Sequence, residues 1–192
     1  MNSTLLRREV IPFYLSLLTL AAVSLLLDAL LHYFNAVWVG RYLGIPGTLL
    51  ILGSMAYSLK KRKLIKYGEA AKLLRWHERA AWLGSLLILV HAGIHFNAIL
   101  GWLAVWAMLI TVGSGLTGKF LLQRARKQME AKRQQLRDQG LTAAQLDVQM
   151  HFDTMTFDAV KQWRAVHFPI TLAFAVLALA HIISIFLFWS WK

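Results

Sequence analysis

The 192-residue chain contains no cysteine. This excludes disulfides, thiolate zinc and iron–sulfur ligation, and covalent c-type haem attachment. Acidic residues are scarce as well, with 9 Asp and Glu against 21 Lys and Arg and a formal net charge of +12. In a soluble protein that balance would point to nucleic acid. Here, however, 58% of the residues are hydrophobic and only 16% are charged, which is the composition of an integral membrane protein. The cations gather between apolar runs, where membrane topology and anionic lipid account for them, so nucleic acid is not an expected partner.

The apolar runs predict a single all-α transmembrane domain over residues 1–192, a bundle of five spans. Span one covers Val10 to Phe34, long enough for a hydrocarbon core of ~30 Å. Arg7 and Arg8 before it resemble the start of a signal peptide. The run is too long for one and lacks a small-residue cleavage site, so it reads as a retained span. The loop NAVWVGRYLGIPG is expected outside, with a Gly-Ile-Pro-Gly turn. Span two, Gly47 to Leu59, is short and is completed by its flanks; it ends in the basic stretch LKKRKLIKYGEAAKLLR.

Spans three (Trp76–Phe96) and four (Trp102–Leu122) are joined by a brief outer turn near Asn97 to Gly101. Residues 123–156 then form a cytoplasmic helical loop: a polar helix stopping near Gly140, and a short helix capped by Thr142 and Gln145. Thr156 is the expected N-cap of the last helix, whose span runs from His167 to Trp189. Basic residues mark the N-terminus and both long loops. The positive-inside rule therefore places the N-terminus in the cytoplasm and the C-terminus in the periplasm of a bacterial cytoplasmic membrane.

Within this frame one interval recurs. His77 and His91 are 14 residues apart on span three, and His167 and His181 are 14 apart on span five. Fourteen residues of helix climb about 21 Å and return to within about 40° of the starting direction, so each helix shows two imidazoles on one face. A lone histidine on an apolar helix is usually a satisfied polar residue. Four at a repeated interval on parallel spans are expected to ligate metal, because ionisable groups within membranes are costly and mostly functional. Neutral imidazole suits haem iron, and facing histidines on bundle helices hold haem. His77 with His167 would hold one haem b near the cytoplasmic side, and His91 with His181 a second nearer the outer side.

Other residues carry paired readings. Arg75, Arg79, Lys161 and Arg164 flank the inner histidines and suit haem propionates, but the positive-inside rule places cations there in any case. Gly84, midway between His77 and His91, either relieves crowding between porphyrins or packs a helix. Gly113, Ser114, Gly115 and Gly118 on span four either pack helices or leave room for a flat macrocycle. Asp28 and His32, at i and i+4 on span one, together with His95, one turn beyond His91, form a candidate catalytic site that accepts quinol protons beside the outer haem. Alternatively, Asp28 and His32 satisfy one another. His151 is given no role.

The pieces WHERAAWLGSLLILVH, GWLAVWAMLITVGSG and WRAVHFPITLAFAVLALAH, in that order, resemble the transmembrane domain of ferric reductases and NADPH oxidases. The double interval is also similar to that of the cytochrome b of quinol:cytochrome c reductases. The resemblance covers about Gly44 to Phe188 and implies a di-haem b-type cytochrome moving electrons across the bilayer. Ferric reductases and NADPH oxidases usually add a sixth span and a flavin and nicotinamide-binding domain. Neither is expected within these 192 residues, which hold no glycine-rich dinucleotide fingerprint. The expected function is therefore an electron-transfer subunit of an oxidoreductase complex, exchanging with the quinone pool or with iron–sulfur, flavoprotein or cytochrome c subunits. The alternatives are a ferric-reductase-like transmembrane reductase fed by a separate cytoplasmic flavoprotein, and a non-redox scaffold or transporter whose histidines bind metal or protons.

Overall fold

The computed structural model describes residues 11–94 and 98–188, and these are helical with no strand among them. Helix α1 spans Ile11–Tyr33, followed by α2 (Val37–Tyr42), α3 (Gly44–Ser54) and α4 (Ala56–Lys61). Then come α5 (Ala70–Ile94) and α6 (Ile99–Thr117), and a π-helical turn (Gly118–Leu122) leads into α7 (Gln123–Asp138). Helices α8 (Ala143–Gln149) and α9 (His151–Phe188) complete the chain.

Four stretches are long and apolar enough to cross a membrane: Ile11–Tyr33, Val37–Lys61, Ile99–Phe120 and Ala165–Phe188. They mark the chain as a membrane protein. Their outer faces expose large apolar side chains such as Leu25, Trp106 and Leu187, and a helix satisfies its own backbone polar groups where no water is available. The fifth expected span, α5, has 25 residues but falls outside the four, because His77, Glu78, Arg79 and His91 lower its hydropathy.

Three sequence expectations are corrected. Span two does not start at Gly47, and Gly-Ile-Pro-Gly is not a turn: Val37–Lys61 forms the span as α2, α3 and α4 in succession. Pro46 falls in the first turn of α3, where a missing N–H costs no helical hydrogen bond. Thr156 is not an N-cap, because α9 already begins at His151, directly after Met150 caps α8. Other local expectations hold. Helix α7 ends just before Gly140, whose φ of +83° is left-handed. Thr142 and Gln145 form the capping box of α8, with the Thr142 amide donating to Gln145 Oε1 at 2.9 Å.

Packing follows residue size. α3 lies along α5 at a glycine crossing, where a Cβ on Gly84 would stand 2.9 Å from the Gly47 carbonyl oxygen and one on Gly47 would stand 3.1 Å from that of Gly84. α6 lies along α9, α5 also meets α6, and α1 lies against α5. The described core places Ala104 and Met108 of α6 with Phe174 of α9, flanked by Ile51 of α3 and Ile88 and Leu89 of α5. A smaller apolar cluster, Leu136, Leu146 and Met150, closes α7 onto α8.

Candidate functional site

The span from Val37 to Lys61 is interrupted at Leu43 and at Met55, where one short helix ends and the next begins. Carbonyls in the last turn of a helix lack intrahelical donors. Both interruptions meet a histidine of α5. His91 Nδ1 lies 3.3 Å from the carbonyl oxygen of Gly40, and His77 Nδ1 lies 3.0 Å from that of Ser54. Trp76 adds Nε1–H to the Gly53 carbonyl at 3.2 Å, and the Tyr57 ring lies 5.8 Å from that of His77.

A carbonyl only accepts, so Nδ1 is the donor in both contacts. On α9, His167 Nδ1 is 2.6 Å from Ser114 Oγ, and Ser114 gives its own proton to the Thr111 carbonyl at 2.9 Å. His167 is then also the donor through Nδ1. In three of the four interval histidines Nδ1 is thus held by a partner, the arrangement that orients an imidazole ligand.

Glycines lie against the rings. A Cβ at Gly44 would sit 3.0 Å from His91 Cδ2, one at Gly101 would sit 3.4 Å from His181 Cε1, and one at Gly115 would sit 3.6 Å from His167 Cε1.

These contacts fall into levels seven residues apart on four helical segments of the bundle. The inner level holds Ser54, His77, Gly115 and His167; the middle holds Gly47, Gly84, Met108 and Phe174; the outer holds Gly40, His91, Gly101 and His181. Two imidazole levels are thereby separated by a packed apolar one. Gly84 serves the α3–α5 crossing, so its packing reading is the one its surroundings support. Of the small residues on α6, Ser114 and Gly115 meet His167, whereas a Cβ at Gly113 would meet nothing within 4 Å.

The candidate quinol residues are only partly brought together. The Asp28 carboxyl lies against Gly93 of α5, 3.3 Å from where a Cβ would be, and its buried Oδ1 has no hydrogen-bond partner among the described residues. His32 Nδ1 donates to the Asp28 main-chain oxygen at 2.9 Å and stays 3.7 Å from Oδ1, too long for a hydrogen bond. Gly93 is two residues beyond His91 and thus on another face of α5, so Asp28 reaches the level of the outer histidines but not their face. His95 lies outside the described residues.

At the inner end Arg75 and Arg79 are exposed, and the side chains of Lys161 and Arg164 lie outside the described set. Two cations that the sequence did not single out are engaged there. Lys119 Nζ pairs with Glu78 Oε2 at 2.8 Å, and the Arg62 guanidinium stands 4.0 Å over the ring of Phe168, next to His167. Among the described residues no three His, Asp or Glu side chains converge as a mononuclear metal site would require.

No protein-family model, curated protein or solved structure matches the chain.

Proposed function

We propose that the chain is a di-haem b-type cytochrome subunit carrying electrons across the membrane within a larger redox complex, akin to the ferric reductase and NADPH oxidase transmembrane domain. The observation that carries this reading is the shared 14-residue interval. His77 and His91, His167 and His181, the acceptors Ser54 and Gly40, and the ring-facing Gly115 and Gly101 all keep it. Satisfied core histidines need no such repetition, whereas two flat cofactors at two depths do.

On this reading His77 and His167 hold the inner haem b, and His91 and His181 the outer. When bound, haem iron supplies one-electron exchange. The chain's own residues fix the rest. Ser54, Gly40 and Ser114 set ligand tautomers, and Phe174 and Met108 fill the space between levels and keep out water. Arg75, Arg79 and Arg164 stand at the inner end to meet propionates. Helix α5 is taken as the fifth span because its midpoint packs with Ile51, Met108 and Phe174 of apolar helices, and its imidazoles face protein rather than lipid. The positive-inside rule then sets the N-terminus in the cytoplasm and the C-terminus in the periplasm. Electrons come from or go to the quinone pool or a partner redox subunit.

The test is a haemochrome assay and a dithionite-reduced minus oxidised spectrum of the purified protein. Two b-type haems per chain are expected, and a protein without haem would overturn the reading. Reduction by a quinol analogue, against reduction by NADPH with a flavoprotein, separates a quinone-linked subunit from a ferric-reductase-like one.

A further inference from the structure

The two helices that carry the histidines, α5 and α9, do not pack closely on each other among the described residues; α6 touches both. The spacing between the inner ligands is therefore set through α6. On the α9 side the link is the bond between Ser114 and His167. On the α5 side the described side-chain link at this depth is the ion pair between Lys119 and Glu78, with Nζ and Oε2 2.8 Å apart. Glu78 directly follows His77, and Lys119 stands in the π-helical turn four residues after Gly115. Single π-turns inside helices often mark functional positions. Here the turn separates α6 from the polar α7 and carries the lysine that reaches α5.

We propose that Lys119 and Glu78 are positioning residues for the inner haem: the pair clamps the His77 end of α5 to the segment of α6 that holds His167. This rests on the di-haem reading above. Both side chains are partly exposed, 43% and 26%, so the pair adds little to global stability. Its consequence is local, and the outer level, with no part in the clamp, serves as an internal control.

The experiment compares Lys119→Met, Glu78→Gln and the exchanged pair Glu78→Lys with Lys119→Glu in the full chain. Haem per protein and the electron paramagnetic resonance signals of the two ferric haems are the readouts. Each single variant is expected to weaken inner haem retention by about tenfold, as loss of a ligand-orienting contact does, and to shift the signal of that haem alone. The exchanged pair restores both. A second measurement needs no haem. Because the chain lacks cysteine, spin labels at Ala71→Cys and Gln162→Cys report the distance between α5 and α9, whose distribution broadens when Lys119 becomes Met. Unchanged haem signals and an unchanged distance distribution overturn the clamp, as does equal loss of both haems. An unaltered protein without haem overturns the di-haem reading, and the haem-positioning role with it.

Discussion

Ser114 Oγ stands 2.6 Å from Nδ1 of His167 while donating its own proton to the Thr111 carbonyl, so a hydroxyl on α6 holds one ring nitrogen of an α9 histidine. His77 and His91 meet main-chain carbonyls instead. The inner level thus has a ligand partner that a single substitution removes. Ser114→Ala is expected to lower haem affinity at the inner level by about 10 to 100-fold and leave the outer haem bound. Haem titration of the apoprotein, followed by the reduced spectrum, checks this; equal affinity in both proteins would refute it.

Ligand pairing follows from the levels. His77→Ala and His167→Ala are each expected to abolish the same haem, and His91→Ala and His181→Ala the other. Spectra of the four variants at stepped potentials decide it. If His77 shared a haem with His181, neither the five-span topology nor the level assignment would stand.

Glycines of α6 and of α5 should respond differently. Gly115→Leu puts a branched side chain where His167 Cε1 is 3.6 Å from the first carbon, and Gly101→Leu does so against His181 at 3.4 Å. The first should lose the inner haem and the second the outer, with the helices still inserted. Gly84→Ala instead drives a methyl to 2.9 Å from the Gly47 carbonyl oxygen. Overpacking of that kind costs about 1–3 kcal/mol, and it should loosen α3 from α5 and weaken both haems together. Thermal unfolding followed alongside haem content distinguishes the two behaviours.

The histidine interval was legible because a 14-residue repeat is a property of sequence alone, and the stop at Gly140 and the Thr142 capping box were legible because each depends on neighbours within a few residues. What the sequence hid depends on partners far along the chain. Gly101 and Gly115 keep the same interval as the histidines, yet only the α6–α9 contact makes it meaningful. Gly40 and Ser54 contribute main-chain carbonyls, which no residue type announces, and they lie where the helix is broken, just before Leu43 and Met55. Phe174 reads as one apolar residue among many until Met108 is placed opposite. Proline and threonine misled at Pro46 and Thr156, since each suits a helix start as well as a position elsewhere in its first turns or interior.

The segment from α7 to α8 is folded rather than merely long. Leu136, Leu146 and Met150 are buried at 8%, 4% and 5% exposure and join α7 to α8. Leu136→Ala is expected to cost about 2 kcal/mol or more through the lost contacts and the cavity left behind. It should loosen the backbone around Arg133 and Arg137, whose side chains are already exposed, and speed trypsin cleavage there without changing haem content. In the native complex, protection of residues 123–149 beyond that seen in the isolated chain would identify this hairpin as a partner's docking surface. Equal cleavage would favour a free or lipid-bound segment.

Asp28 offers the remaining test, of exchange with quinol. Its Oδ1 is buried with no partner among the described residues, and it faces the bare backbone of Gly93 rather than a side chain. A buried acceptor without a donor is costly, and a quinol hydroxyl is a donor that a carboxylate can both hold and deprotonate. His32, 54% exposed and bonded to the Asp28 main-chain oxygen, stands one turn further along α1, next to its C-terminal end. Asp28→Asn keeps the shape and removes the base. Both haems should therefore remain bound with unchanged spectra, while reduction by a quinol analogue slows by about 100 to 10,000-fold, the range expected of one general base. His95→Ala should act in the same direction. Unchanged quinol kinetics in both variants, at confirmed haem content, would remove the quinol site from this end of α1 and leave electron exchange to a partner subunit.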